Sequence, residues 1–449
     1  MSETNIPASE APNAASGAEI MARARRDQES IARHLTNPRR VVVTGMGAVS
    51  PAGFGVDALW DRVMSGETAI TALPGDMAEE YRVAVAGRIP GYDPIEAGFS
   101  KKEARRLAPF VQYAIIAADE AMEASGIDLE AEDLTRFACT FGSGIGGLHI
   151  FQEQSTVLAE QGARKVNPLF IPIMIENMAA GHLSIRYGLR GSCTSTVTAC
   201  ATGTHNIGDA FRLIQSGRAD MVLAGGSEES IAPMALAGFM NLGAITKETD
   251  PRIASRPFDA NRSGFVPGEG AGALVLEDLD HARARGARIV CEVTGFGSTG
   301  DAHHMTAPDP SGEGVARSMA QALAEGGFGI EDLGHLNAHG TSTHANDLTE
   351  ATALCLLAGD RASEIPVMSV KGALGHMLGG TGAVEAVVMA CALEHDVVPP
   401  TAGFCDADPA CPVRVSNAPV TGYRQKVALS NSLGFGGHNA TLALSPYVA

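Results

Sequence analysis

The chain has 449 residues, 45% of them hydrophobic and 19% charged, with a formal net charge of -18. Length alone allows about two or three domains. The acidic surplus argues against a nucleic-acid binder, no apolar run approaches the roughly 20 residues of a membrane helix, and the N-terminus lacks the apolar stretch of a secretory signal.

Residues 1–15 are polar and aperiodic, a composition that leaves a segment disordered. Residues 17–35 fit one short, weakly amphipathic helix with arginine-rich faces. Residues 1–38 together read as a disordered or variable extension, ahead of a folded body that starts near Arg39. From there short apolar runs alternate with longer amphipathic stretches. Val41-Val42-Val43-Thr44 reads as a strand ending at Gly45-Met46-Gly47. Residues 137–141 form another, leading into Gly142-Ser143-Gly144-Ile145-Gly146-Gly147. Residues 221–224 form a third, ending at Gly225-Gly226. Residues 273–276 form a fourth, followed by a helix over 278–285 that Gly286 stops. With 52 glycines and 5% aromatics, this is the pattern of an α/β protein with buried strands and close-packed layers.

The pattern repeats. Val43-Thr44-Gly45-Met46-Gly47 is echoed by Val293-Thr294-Gly295-Phe296-Gly297. Later in each half a strand, a polar residue and a Gly-rich helix start follow one another. In the first half this is Val197-Thr198-Ala199-Cys200; in the second it is Met368-Ser369-Val370-Lys371, leading to Gly375-His376. The body divides into two similar α/β halves, 39–289 with inserted helices and 290–449.

The eight cysteines form no CxxC pair and no zinc-finger cluster with histidine. Most read as small buried hydrophobes in a reduced compartment, which points to the cytoplasm. Cys200 stands apart. An apolar run precedes it, small residues surround it, and helical spacing follows through Ile207, Ala210, Phe211 and Ile214. It sits at a strand-to-helix elbow, where the helix dipole lowers a thiol pKa. Ala199, Ala201 and Gly203 leave room for a carbonyl to reach the sulfur and the backbone N–H groups. The segment by itself fits a nucleophile, and it also fits a packed structural cysteine.

Three further segments carry polar chemistry. A buried strand ends at His339, the end of a strand where α/β folds place their sites, although a satisfied core histidine fits as well. Thr341 and Thr343 suit an extended, amide-bearing substrate arm, or a cap on the next helix. Lys371 follows another strand and needs a partner if buried, with Glu385 available; His376 opens a Gly-rich helix. Residues 431–439 are a Gly-rich loop between apolar runs, either a gate carrying Phe435 over an apolar pocket or a plain hairpin. There is no P-loop, no HExxH and no dinucleotide fingerprint.

Together, Cys200, His339 and His376 in these settings resemble the β-ketoacyl-acyl-carrier-protein synthases of thiolase fold. The motifs are Thr198-Ala199-Cys200, Asn337-Ala338-His339-Gly340-Thr341-Ser342-Thr343, Lys371-x4-His376-x2-Gly379 and Asn431-Ser432-x-Gly434-Phe435-Gly436-Gly437-x-Asn439. The resemblance runs from about Arg39 to the C-terminus. It implies a five-layered αβαβα fold with two pseudo-repeated halves, and an acyltransferase of fatty-acid biosynthesis that lengthens acyl chains by two carbons. Cys200 takes the acyl group from an acyl carrier protein, with the N–H groups of Cys200 and Phe435 as oxyanion hole. His339 and His376 promote decarboxylation of malonyl-acyl carrier protein, and the carbanion attacks the acyl-cysteine. Lys371, paired with Glu385, organises the site electrostatically. Thr341 and Thr343 hold the pantetheine amides, Phe435 gates the pocket, and Ile145 stands against the acyl tail.

The resemblance implies no cofactor beyond the phosphopantetheine on the carrier protein. Some members bind a monovalent cation through residues matching Asn337, Ala338, Glu385, Ser430 and Asn431. The implied partners are an acidic carrier protein and a second copy in a homodimer, with no nucleic acid and no membrane insertion. Docking falls to the local basic groups Lys102, Arg105, Arg106, Arg164 and Lys165, which otherwise read as ordinary solvated charge. Leu433, His344, Ala307 and Gly243 depart from the usual pattern and bear on chain-length and carrier preference. Of the rivals, a degradative thiolase needs a second cysteine in the 431–439 loop, which has none. A non-catalytic partner subunit would have lost the nucleophile. A polyketide-type condensing enzyme shares the chemistry.

Overall fold

Glycines spaced two apart inside a β-branched run let a helix backbone lie directly on a strand, and this happens twice here. The computed structural model describes residues 16–22, 25, 38–422 and 425–448. Its first half is built as β1 (Val41–Ser50), α1 (Pro109–Ser125), β2 (Phe137–Gly142), α2 (Met178–Tyr187), β3 (Cys193–Thr194), α3 (Thr202–Gln215), β4 (Met221–Glu229) and β5 (Glu269–Asp278). The second half repeats the order with β6 (Cys291–Gly300), α4 (Glu313–Glu325), β7 (Leu333–Asn337), α5 (His344–Ala358), β8 (Pro366–Met368), α6 (Thr381–Glu394), β9 (Val427–Gly434) and β10 (His438–Pro446).

The strand orders correspond: β3-β2-β4-β5-β1 in one half and β8-β7-β9-β10-β6 in the other. In each half the first three strands run parallel and the last two pair antiparallel. The sheets meet where Val41, Val42 and Val43 of β1 pair with Val293, Glu292 and Cys291 of β6. Helix α1 covers one outer face and α4, with α5 beside it, the other. Helices α3 and α6 lie between, touching each other and strands of both halves. This gives five layers, αβαβα. The middle position explains α6: every residue from Thr381 to Leu393 is buried, which a helix apolar on all sides requires.

The structure extends the strands past the glycines that read as their ends. β1 continues through Gly45 and Gly47 to Ser50, because these glycines admit α1. A Cβ at Gly45 would stand 2.1 Å from the Ala121 carbonyl oxygen, and one at Gly47 1.9 Å from that of Ala117. The repeat in β6 does the same, with Gly295 against Ala322 of α4 at 2.1 Å and Gly297 against Ser318 at 1.9 Å. β4 likewise runs through Gly225 and Gly226 to Glu229. Gly47→Ala should therefore lose about 3 kcal/mol of unfolding free energy in urea, while Gly75→Ala, with nothing within 4 Å, should lose none.

Two local expectations are corrected. No strand leads into Cys200: β3 is two exposed residues, Val197 is 45% exposed, and Cys200 lies in a single 3-10 turn, Ala199–Ala201. His376 does not open a helix; it pairs as an isolated bridge with Pro267, and α6 begins at Thr381 after a further 3-10 turn. In the N-terminal extension, the expectation of disorder over 1–15 lies outside the described residues. Residues 17–22 are helical, and Ile20 and Met21 are buried in the cluster that holds Leu323, Leu354 and Leu357. Among the described residues no helix is long and apolar enough to cross a membrane.

Candidate active site

The turn that carries Cys200 is held in a strained form. Ala199, just before it, has φ +51°, a cost paid where the surroundings over-determine the backbone. The surroundings do so here. Thr198 N donates to Thr202 Oγ1 at 2.9 Å, and Ala201 N donates to the Thr198 carbonyl at 3.1 Å. The Thr198 hydroxyl meets His205 Nδ1 at 2.9 Å, and His205 Nε2 reaches Ser298 Oγ of β6 at 3.0 Å. The thiol ends buried, with the backbone N–H groups of Cys200 and Phe435 directed at it. Burial pushes its pKa up to about 12, against the lowering effects of the Lys371 charge and the two N–H groups. The expected thiolate is thus corrected: desolvation outweighs the Lys371 charge and the N–H groups that favour it.

Two histidines converge on the sulfur. Cys200 Sγ and a ring nitrogen each of His339 and His376 all lie within 4.8 Å of one another. The two rings stand edge to face, centroids 5.1 Å apart. His339 lies just past β7, where the chain bends through Gly340 at φ +44°. Glu350 of α5 fixes that bend, accepting from His339 N at 2.8 Å and Gly340 N at 2.7 Å. His376 is anchored by its N–H to the Val266 carbonyl at 2.7 Å, by Nδ1 to Thr381 Oγ1 at 3.1 Å, and by the edge of Phe265.

Behind them lies a buried ion pair, Lys371 Nζ to Glu385 Oε1 at 2.6 Å. Burial first, then the Lys371 charge, depress both histidines well below their ordinary pKa. Both are therefore neutral imidazoles, each with one N–H to donate. Burial raises Glu350 and Glu385 to about 7.

Above the sulfur opens a cavity of about 330 Å³, with Cys200, His339 and His376 at its base and Thr341, Thr343, Phe239, Leu433 and Phe435 on its walls. Phe435 belongs to the three-residue turn joining β9 to β10, in which Gly436 and Gly437 take positive φ. The turn is a hairpin and also part of the cavity wall. It is tied to the neighbouring segment by Gly436 N to the Met305 carbonyl at 2.8 Å and by Asp301 N to the Gly437 carbonyl at 2.9 Å.

Known families match this arrangement along most of the chain. Residues 38–282 match the family "Beta-ketoacyl synthase, N-terminal domain" and residues 290–405 "Beta-ketoacyl synthase, C-terminal domain". The chain belongs to the β-ketoacyl synthase family. Relatives named 3-oxoacyl-[acyl-carrier-protein] synthase 2 include one from Staphylococcus aureus (strain COL), 43% identical over 92% of this chain and 100% of the relative. Another, from Rhizobium meliloti (strain 1021), is 45% identical over 91% and 99%. A solved β-ketoacyl synthase from Burkholderia phymatum STM815 superposes with a TM-score of 0.85 at 33% identity, over 91% of this chain and 100% of that one. A type II polyketide ketosynthase, solved with its acyl-carrier protein and a bound hexaketide, gives 0.85 at 29% identity, over 92% and 100%.

In this β-ketoacyl synthase the residues singled out from sequence fall into three groups. Cys200, His339, His376, Thr341, Thr343 and Phe435 share the cavity. Thr343 also caps α5, accepting from Asn346 N at 3.3 Å, and meets Thr341 hydroxyl to hydroxyl at 2.9 Å. The departures Leu433, His344, Ala307 and Gly243 all line the cavity too. Lys371 and Glu385 lie behind it. Ile145 is half-buried in the turn after β2 and is not among the residues lining this cavity. Lys102, Arg105 and Arg106, on and after the helix Lys101–Ala104, and Arg164 and Lys165, in the turn Ala163–Lys165, are exposed and outside it.

For a cation, Asn337 and Ala338 lie at and just past the end of β7, Ser430 and Asn431 in the middle of β9, and Glu385 on α6. Among the described residues, Asn337 Oδ1 and Glu385 Oε2 there are buried oxygens without a hydrogen-bond partner, the donor chemistry a small cation takes. Sequence reasoning missed Glu350 and Glu228. For Glu350 a signal existed: Asn346 and Glu350, four apart, share the face of α5 turned to His339, and Asn346 Nδ2 donates to Glu350 Oε2 at 2.9 Å.

Proposed function

We propose that this enzyme condenses malonyl-acyl carrier protein with an acyl group held on Cys200, elongating fatty acids by two carbons. One observation carries the reading: a buried thiol and two neutral imidazoles meet within 4.8 Å on the lining of one largely apolar cavity. The thiol is protonated at rest, so attack on the thioester is coupled to loss of its proton, which an imidazole nitrogen accepts and passes to the departing pantetheine thiol. The N–H groups of Cys200 and Phe435, already aimed at the sulfur, hold the oxyanion. With malonyl thioester bound, the Thr381 hydroxyl donates to His376 Nδ1 and leaves Nε2 protonated. This N–H and that of His339 stabilise the enolate oxygen as CO2 departs. The carbanion then attacks the acyl-cysteine carbonyl, the C–S bond breaks to release the 3-oxoacyl thioester and the Cys200 thiolate, and the thiolate takes up one proton from solvent to restore the thiol. Neutral donors serve both oxyanions without protonating the carbanion, and the largely apolar cavity walls limit the water that reaches it.

Thr341 and Thr343 hold the pantetheine amides, Phe435 gates the cavity, and the turn bearing Ile145 contacts the acyl tail. Asn337, Ala338, Glu385, Ser430 and Asn431 hold a monovalent cation, which would supply positive charge beside the Lys371 pair. A second copy adds its edge strand β3 to make a homodimer; Ile171, Ile185 and Val197, 55%, 77% and 45% exposed, lie in the segments around that edge. The eight free cysteines suit the cytoplasm. The polyketide-type reading draws on the hexaketide-bound neighbour, whose identity of 29% falls below the 43% and 45% of the fatty-acid relatives.

The deciding experiment is turnover with malonyl-acyl carrier protein and acyl donors of graded length. Single two-carbon additions to straight chains are expected; repeated condensation without reduction would overturn the fatty-acid reading. Carrier docking is tested separately. Reversing Lys102, Arg105 and Arg106 together to Glu should raise KM for carrier thioesters about tenfold and leave small thioester mimics unchanged; equal effects on both would remove the docking surface.

A further inference from the structure

Glu228, next to last in β4, is fully buried, and no step derived above uses it. Its acceptor positions are filled by neutral donors. Oε1 takes the Ser143 hydroxyl at 2.5 Å and Ile145 N at 3.2 Å. Oε2 takes Gly144 N at 2.8 Å and Gly379 N at 3.0 Å. Ser143 Oγ in turn accepts from Gly146 N at 3.0 Å. These donors come from opposite halves of the chain: the turn after β2, and the 3-10 turn between His376 and α6.

The two segments are in backbone contact at this point. A Cβ on Gly379 would stand 2.4 Å from Gly144 N, and one on Gly144 would stand 3.1 Å from the carbonyl oxygen of Ala199. Ala199 is the strained residue before Cys200. Leu378, the residue before Gly379, has φ +42° and lines the cavity. One carboxylate thus fastens a cavity-wall residue, the turn after β2 and the floor beside the nucleophile. Burial raises its pKa to about 7 against these same hydrogen bonds, so the clasp has little charge stabilisation to spare.

We propose that Glu228 is a positioning residue for the acyl-enzyme: its clasp between Gly144 and Gly379 fixes Leu378 and the cavity wall beside Cys200, and so sets which acyl chains the thiol accepts. This rests on the reading that Cys200 carries the acyl group. Without the clasp Leu378 is free to leave its strained conformation, and the wall that a long chain must pass is no longer fixed. A short chain ends before it.

The test compares wild type, Glu228→Gln and Ser143→Ala, each as the full chain. Melting temperature reports folding, and intact-mass time courses report acylation of Cys200 by carrier thioesters of increasing chain length. Glutamine keeps the shape but replaces one acceptor oxygen with an NH2 donor: at the Oε2 position it faces the Gly144 and Gly379 N–H groups and opens the clasp, and at the Oε1 position it faces the Ile145 N–H and loosens the turn that carries Gly144. Acylation by short donors should stay within about threefold of wild type, and that by long donors should fall roughly tenfold. Ser143→Ala should move the profile the same way by less. An equal loss at every length, or an unchanged profile, overturns the inference. If Glu228→Gln does not fold, Ser143→Ala decides by the same criterion. A wild type that takes no acyl group would instead overturn the acyl-enzyme reading, and this inference with it.

Discussion

Replacing Cys200 with alanine is expected to abolish the acyl adduct and to lower condensation on the order of a thousandfold or more. The sulfur is the atom on which the two halves of the reaction meet, and every group around it is arranged for that atom: the N–H groups of Cys200 and Phe435, the two imidazoles and the strained Ala199. Removing Sγ leaves the imidazoles in place, so decarboxylation of malonyl thioester should survive without condensation, and the product should shift to acetyl thioester. The side chain is small and its turn is held by backbone and threonine contacts, so the melting temperature should hardly change. Intact mass after incubation with acyl-carrier thioester gives the answer. An adduct that persists in the alanine variant would place the acyl group elsewhere and sink the mechanism.

The chemistry was legible in the sequence because it lies in short contiguous motifs. His339 with Gly340 and Phe435 between glycines carry their local geometry with them, whereas Cys200, singled out by its small neighbours, proves to sit in a 3-10 turn with no strand before it. The five-layered fold was legible through the repeated Val-Thr-Gly-x-Gly, and the structure supplies the reason: both copies are strands on which a helix backbone rests. The missed features depend on distant partners. Gly45 and Gly47 read as strand ends because their need for no side chain comes from Ala117 and Ala121, some seventy residues on. Glu228 drew no notice because the backbone N–H groups it binds come from Gly144, Ile145 and Gly379, far from it in the chain, and carry no residue-type signal. The thiol was expected to be acidic because a helix N-terminus is visible in sequence, whereas the depth of burial that outweighs it is set by both halves closing over the site.

The largest coupled effect should come from Lys371→Ala. Lys371 and Glu385 are both fully buried and 2.6 Å apart, and breaking such a pair from one side costs about 3–5 kcal/mol, because the remaining charge is left without a partner. The lysine also reaches further than its partner. Its charge lowers the pKa of Cys200, His339, His376, Glu350 and Glu385. Without it the thiol is harder to deprotonate and the imidazoles move back toward their ordinary value, so condensation should fall steeply even in the folded fraction.

The pH dependence follows with a definite sign. Glu385 already sits at about 7 with the lysine present, and losing the lysine raises it further. A carboxyl whose folded pKa is raised favours the native state below its unfolded pKa, and that support is lost as pH rises through the folded value. In the variant Glu385 is neutral at low pH and tolerable in the core; as pH rises it must either stay protonated or charge in an apolar site. The stability deficit relative to wild type should therefore widen as pH rises past about 7, read from urea midpoints at each pH. Lys371→Ala with Glu385→Gln removes the stranded charge, so it should recover most of the high-pH stability and none of the activity. A deficit that narrows with rising pH, or a double variant that regains turnover, would show that the lysine acts on something other than this carboxylate and these imidazoles.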